Sequence, residues 1–198
     1  MDRTYRINEI FYSLQGEGLH AGTPAVFIRF SGCNLKCPFC DTQHTDYQEM
    51  TEQEIVQAVQ SYPAHLIVLT GGEPSLFVTE TLVDSLHAIR PDLCISIETN
   101  GTHPLPPNIV FVTCSPKFDY CPHAEVVLPH IDELKVVYTP DIHLDRYKLL
   151  PADRFLLQPC DEGDPVRNQA NIQGAVDYCL KHPEWSLSLQ VHKILNIR

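Results

Sequence analysis

The feature that most constrains the fold of this chain is a series of short runs that carry apolar residues on both of their faces. They are "AVFIRF" (25–30), "LIVLT" (66–70), "CISIET" (94–99), "IVFVT" (109–113), "LKVVY" (134–138), "FLLQ" (155–158) and "LSLQV" (187–191). A strand with one wet face alternates apolar and polar residues. A strand covered on both faces need not, and such strands belong to parallel sheets flanked by helices. An earlier run, "RINEIFY" (6–12), does alternate and reads as an edge strand. Parallel strands need crossovers, and helix signals stand where crossovers are required. Thr51-Glu52-Gln53-Glu54 is a capping box at the head of "TEQEIVQAVQSY". Val78, Leu82, Val83, Leu86 and Ile89 recur at helical spacing, as do Ile172, Val176, Cys179 and Leu180 ahead of Pro183.

Three helices for seven strands are too few for a complete eightfold barrel, which takes about 250 residues; this chain has 198. The expectation is an α/β fold: an incomplete, pared-down βα barrel or open βα sheet of about six parallel strands, with N- and C-terminal extensions, in a single domain over 1–198. No repeat, linker or low-complexity tract divides it, and the Pro- and His-rich stretch 114–133 carries no strong helix signal.

Charge and cysteine usage narrow the function. Lys plus Arg is 14 and Asp plus Glu is 25, a net charge of −11. That balance opposes binding to nucleic acid and leaves room for a small anion held by a few local cations. No apolar run reaches membrane-spanning length, and "MDRTYRINEI" lacks a signal peptide's apolar stretch, so a cytoplasmic location is expected. There, a tight cysteine cluster points to metal or redox chemistry rather than a disulfide scaffold. Of eight cysteines, Cys33, Cys37 and Cys40 are clustered as C-x3-C-x2-C in "FSGCNLKCPFCDTQHT" (30–45), and the other five are scattered and read as packing. Local spacing leaves three readings open: unliganded thiols, a structural zinc site completed by His44, or a 4Fe–4S cluster whose fourth iron keeps an open position.

In βα folds ligands gather at the carboxyl ends of the strands. The cysteine cluster follows "AVFIRF", "TGGEP" (70–74) follows "LIVL", "ETNGT" (98–102) follows "CISI", "SPK" (115–117) follows "IVFVTC" and "QP" (158–159) follows "FLL". One site at one rim is expected. Arg29 lies inside an apolar strand, where a charge demands a partner. By alternation it shares a face with Ala25 and Phe27, and the pattern does not say which face is inward.

C-x3-C-x2-C after the first strand of such an array, with "GGEP" after the next, resembles the radical S-adenosylmethionine (SAM) superfamily. Within it, "EIFYSLQGEG" (9–18), "FIRFSGCNLKCPFCDT" (27–42), "TGGEP", "ETNGT", "SPK" and "LQVHKILNI" (189–197), in that order, are similar to the 7-carboxy-7-deazaguanine synthase family. A glycyl-radical activase would share the cluster motif without needing "LQGEG" or "HKILNI".

The resemblance implies a 4Fe–4S cluster on Cys33, Cys37 and Cys40, whose open iron chelates SAM, and reductive cleavage of SAM to a 5′-deoxyadenosyl radical. It implies conversion of 6-carboxy-5,6,7,8-tetrahydropterin to 7-carboxy-7-deazaguanine and ammonia, on the route to queuosine and other 7-deazapurines. Mg²⁺ on Thr42, a homodimer, and a flavodoxin- or ferredoxin-type electron donor are also implied. SAM contacts carry over to Phe39, Cys40, Asp41, Gly72, Glu73, Asn100, Ser115, Pro116, Lys117 and Gln158. Substrate contacts carry over to Leu14, Gln15, Gly16, Glu17, Thr70 and His192, with Lys193 beside it. Arg29 carries over as a grip on the substrate carboxylate, for which a guanidinium fork is well shaped. Some members carry an insertion in the cluster loop; this chain has the plain spacing, so how the loop meets a reductase does not carry over.

Overall fold

Residues 3–43 and 45–198 are described by the structure, a computed structural model. Its strands are β1 (Thr4–Leu14), β2 (Pro24–Phe30), β3 (Gln48–Thr51), β4 (Leu66–Gly71), β5 (Cys94–Thr99), β6 (Phe111–Cys114), β7 (Glu133–Tyr138), β8 (Phe155–Pro159) and β9 (Trp185–Leu187). The helices are α1 (Glu52–Gln60), α2 (Glu80–His87), α3 (Pro165–Lys181) and α4 (Val191–Leu195). All strands join one nine-stranded sheet in the order β3-β1-β2-β4-β5-β6-β7-β8-β9. β1 runs antiparallel to β2 and β3. From β2 onward every neighbouring pair is parallel. The array is the expected pared-down α/β sheet, with the three-residue β9 as one parallel strand more than the six foreseen.

The capping box foreseen at the head of α1 is present. Thr51 caps α1: its hydroxyl accepts from the Glu54 N–H (3.3 Å), and the Glu54 carboxylate accepts from the Thr51 N–H (2.7 Å). Asp164 caps α3 by accepting from the N–H groups of Val166 and Arg167. α1 leads into β4, α2 crosses from β4 to β5, and α3 crosses from β8 to β9. The connections between β5 and β8 carry loops and a single 3₁₀ segment, Leu144–Leu149. That is why the helical layer is incomplete.

Two large apolar clusters lie on the helix-bearing side. Val26, Ile28, Phe30, Ile67, Leu69, Ile95 and Ile97 pack with Ile55 and Val59 of α1 and Leu82, Val83 and Leu86 of α2. Leu134, Val136 and Leu157 pack with Ala175 of α3, Tyr147 and Trp185. The opposite face is apolar only at its lower end, around Phe11, Ala25, Phe27, Leu66 and Val68. Toward the carboxyl ends it turns polar, and the register sets Arg29 beside Thr70, Glu98 beside Thr113, and Thr113 beside Glu133.

Three expectations shift. "RINEIFY" is not a bare edge, because β3 pairs with Thr4–Ile7. "IVFVT" starts later, at Phe111. "LSLQV" is a strand only to Leu187: the Ser188 N–H bonds the Leu157 carbonyl (2.8 Å), its hydroxyl turns inward to Gln158, and the chain then enters α4.

Candidate active site

A cavity of about 710 Å³ opens at the carboxyl ends of the parallel strands. Its upper wall is the loop after β2 that carries Cys33, Cys37 and Cys40, and all three line it. They are free thiols, the first two half-buried and Cys40 exposed. The loop is held by backbone: the Gly72 N–H donates to the Phe30 carbonyl (3.0 Å) and the Glu73 N–H to the Gly32 carbonyl (2.9 Å). Gly71 adopts φ +131°, and a Cβ there would overlap the Phe30 backbone; at Gly72 it would overlap the Gly32 carbonyl. The glycine pair therefore lets the end of β4 lie against the cluster loop, a backbone-to-backbone approach no side chain permits.

Burial raises the Cys33 thiol and pushes Cys37 up to about 12, with Cys121 adding to the latter from 3.8 Å, so a bound cation must displace those protons. Tetrahedral zinc with Zn–S near 2.3 Å draws its sulfurs to ~3.8 Å of one another. Among the described residues, the one group with three ligand atoms all within 4.8 Å is His130, Asp132 and Asp153, outside this cavity. The three cysteines do not all lie within that distance of one another. His44, the fourth ligand of the zinc reading, lies outside the described residues.

Around the cysteines, Phe39 packs edge-on against Tyr120 (4.7 Å) and Asp41 is paired with Lys193 (3.0 Å). Thr42 lines the cavity, and its hydroxyl has no hydrogen-bond partner among the described residues. Glu73 is 1% exposed and braces the rim: it accepts from the Ser75 N–H (3.0 Å), the Thr99 hydroxyl (2.6 Å) and the Asn100 N–H (2.7 Å). Asn100 in turn donates to Asn34 of the cluster loop (3.0 Å). Ser115 and Lys117 line the cavity and Pro116, buried between them, does not. Lys117 Nζ donates to the Ser115 carbonyl (2.5 Å) and hydroxyl (2.6 Å), and burial holds its ammonium below the usual range.

The floor is a network. Glu98 accepts from Gln15 Nε2 (3.1 Å) and the Thr70 hydroxyl (3.0 Å). Glu17 is ion-paired to Lys135 and accepts from Gln190 Nε2 (2.9 Å). Burial pushes its carboxyl up, but Lys135 and these hydrogen bonds outweigh that and hold it at about 2. Gln158, carried over as a SAM contact, stands on this floor and accepts from Ser188 (3.0 Å). Leu14 and Gly16 complete the β1 side, and His192 lies so closely over Gly16 that a Cβ there would strike its ring. Lys193 points away, bridging Asp41 and Asp161 (2.8 Å). Arg29 proves to be on the cavity face, with Nε donating to Glu9 (2.9 Å) and its guanidinium 5.8 Å from the Phe11 ring centre.

Sequence reasoning passed over Glu98, Lys135 and Gln190. Glu98 in "CISIET" and Lys135 in "LKVVY" carried the signal that singled out Arg29, a charge inside an apolar strand.

A parallel βα sheet with three spread thiols over a polar cavity at its carboxyl rim has the architecture of a radical SAM enzyme, and the radical SAM superfamily profile matches residues 27–110. The chain belongs to the 7-carboxy-7-deazaguanine synthase family. It is 54% identical to the 7-carboxy-7-deazaguanine synthase of Bacteroides thetaiotaomicron, with 98% of each chain covered. It is 39% identical to that of Bradyrhizobium diazoefficiens, with 98% of this chain and 100% of the relative covered. The crystal structure of QueE from Escherichia coli superposes with a TM-score of 0.75 at 28% identity, covering 96% of this chain and 95% of the other. Membership implies a 4Fe–4S cluster and SAM as cofactors. Among the described residues no helix is long and apolar enough to cross a membrane.

Proposed function

We propose that this enzyme converts 6-carboxy-5,6,7,8-tetrahydropterin to 7-carboxy-7-deazaguanine with loss of ammonia, as a step toward queuosine and other 7-deazapurines. The product is the substrate less the elements of ammonia, so no net oxidant is consumed. The observation that carries this reading is that one cavity joins the three-thiol loop, the Arg29 guanidinium and a floor of amides, hydroxyls and carboxylates. When bound and reduced, the cluster with SAM supplies a hydrogen-abstracting carbon radical. Everything else is the work of the chain.

Arg29 is the one cation on β2 and holds the substrate carboxylate; its Nη atoms stay available while Nε bonds Glu9. Gln15, Glu17 and Thr70 meet the pterin heteroatoms, since an amide can both donate and accept while a carboxylate takes N–H groups. Leu14, Gly16 and His192 close the cavity over the ring and limit water. Cys33, Cys37 and Cys40 hold the cluster. Gly72 lets the strand end close against the cluster loop beside the SAM amino acid; Phe39, Asp41, Glu73, Asn100, Ser115 and Lys117 form the SAM wall, with Pro116 behind it and Gln158 reaching it from the floor. Thr42 offers Mg²⁺ one neutral oxygen, which suits an ion that draws its remaining ligands from water and substrate. We read the chain as a single domain, a cytoplasmic homodimer served by a flavodoxin- or ferredoxin-type electron donor.

The test is anaerobic reconstitution with iron and sulfide, then SAM, reductant, Mg²⁺ and the carboxypterin, with products read by mass spectrometry. 7-Carboxy-7-deazaguanine is the expected product. SAM cleavage without it would leave the radical chemistry standing and overturn the substrate.

A further inference from the structure

We propose that Lys135 is a positioning residue of this site: its single buried ammonium, shared by Glu17 and Glu98, holds two carboxylates as paired acceptors on the cavity floor, facing the N–H edge of the pterin. This rests on the cavity being the pterin site.

The geometry is specific. Lys135 stands on the inner face of β7, and its side chain is 7% exposed. Its Nζ is ion-paired to Glu17 and lies 3.5 Å from Glu98 Oε1. The two carboxylates come from distant parts of the chain, the loop after β1 and strand β5; Gln15 links the Glu17 N–H to Glu98, and Lys135 supplies the charge that both carboxylates share. Each is also tied to a neutral donor: Glu98 to Gln15 and Thr70, Glu17 to Gln190. Two other charged groups act on this ammonium. Glu133 already accepts from the Leu19 N–H (2.6 Å) and the Thr113 hydroxyl (3.3 Å), and Lys117 faces it from the loop after β6.

Buried ion pairs are weak devices for stability, because desolvation offsets much of their attraction. This one is also unbalanced, with one ammonium against two carboxylates in contact with it. The surplus negative charge is relieved by a ligand that offers adjacent N–H donors. The aminopyrimidinone edge of a pterin has them: an exocyclic amino group beside a ring N–H. Without Lys135, only the hydrogen bonds from Gln190 and Gln158 oppose burial at Glu17, which shifts toward its neutral form, a poorer acceptor. The pairing thus keeps the floor charged and fixed in direction.

The experiment compares KM for the carboxypterin in the parent enzyme, Lys135→Met and Lys135→Arg across a pH series, with SAM cleavage in the absence of substrate followed in parallel. In Lys135→Met, KM is expected to rise about tenfold near pH 8 and further toward pH 6, as Glu17 takes up a proton, with cluster content and SAM cleavage unchanged. Lys135→Arg restores the charge and with it the parent's pH profile. Glu17→Gln and Glu98→Gln combined with Lys135→Met removes the ammonium and both of its carboxylates together, and matches the Glu17→Gln/Glu98→Gln variant. A parent enzyme that makes no deazaguanine would overturn the substrate reading instead. Unchanged KM in Lys135→Met, or equal impairment of the Met and Arg variants with one common pH profile, sinks the positioning role. So does a further tenfold loss when Lys135→Met is added to Glu17→Gln/Glu98→Gln, since Lys135 would then act independently of both carboxylates.

Discussion

Ile28, Leu69 and Ile97 are fully buried on neighbouring strands, packed under α1 and α2. Arg29, Thr70 and Glu98, one residue further along the same strands, face the cavity. A single step in sequence thus separates the apolar cluster that stabilises the fold from the polar row that meets the ligand. Strand alternation makes this possible, and the incomplete barrel sharpens it, because helices cover one face while the other is left to bind. Substitutions on the two rows should fail in different ways.

The largest effect belongs to the polar side. Cys37→Ala is expected to abolish the cluster chromophore and all turnover. The residue is a half-buried loop thiol, so the unfolding free energy should stay within about 0.5 kcal/mol of the parent's; a large loss of stability would mean that the loop also supports the core. Leu69→Ala, on the other row, should lose about 3 kcal/mol of unfolding free energy and leave KM for the pterin unchanged in the folded fraction. Urea unfolding beside steady-state kinetics separates the two quantities. Arg29→Ala should keep cluster and fold while KM rises about a hundredfold, the scale of a lost hydrogen-bonded charge pair at ~2–3 kcal/mol. Normal turnover at low substrate would assign the carboxylate grip elsewhere. The smallest effect is at Thr51→Ala, which removes the α1 cap and should lower stability by about 1 kcal/mol with kinetics untouched.

The apolar row was the legible one. Runs such as "LIVLT" and "CISIET" predict buried parallel strands because burial on the helix side leaves no alternative composition, and α1 could be placed through its capping box. The polar row was legible only where a motif or a lone charge stood out. Arg29 was singled out, but its face was undecided, because Ala25 and Phe27 look like core until the sheet shows that face opening into the cavity. β3 was missed because "QEMT" pairs with β1 on the outside of the sheet and buries almost nothing. The last strand was placed too far along the chain, at 187–191 instead of Trp185–Leu187, because Ser188 turns inward to Gln158, a long-range contact that no local pattern encodes. Glu73 looked like a ligand contact from its motif, and its carboxylate is committed to Thr99, Asn100 and Ser75 at the rim.

The hydrogen bonds between Gly72 and Phe30, and between Glu73 and Gly32, bear on how the holoenzyme is made. They fasten the root of the cysteine loop to β4 using protein atoms alone, without any contribution from iron. The chain can therefore finish folding first and receive its cluster afterwards, into a loop whose base is already set. Of the three thiols, Cys40 is exposed, while Cys33 and Cys37 lie deeper. The thiols are thus presented from a base that the sheet itself holds in place.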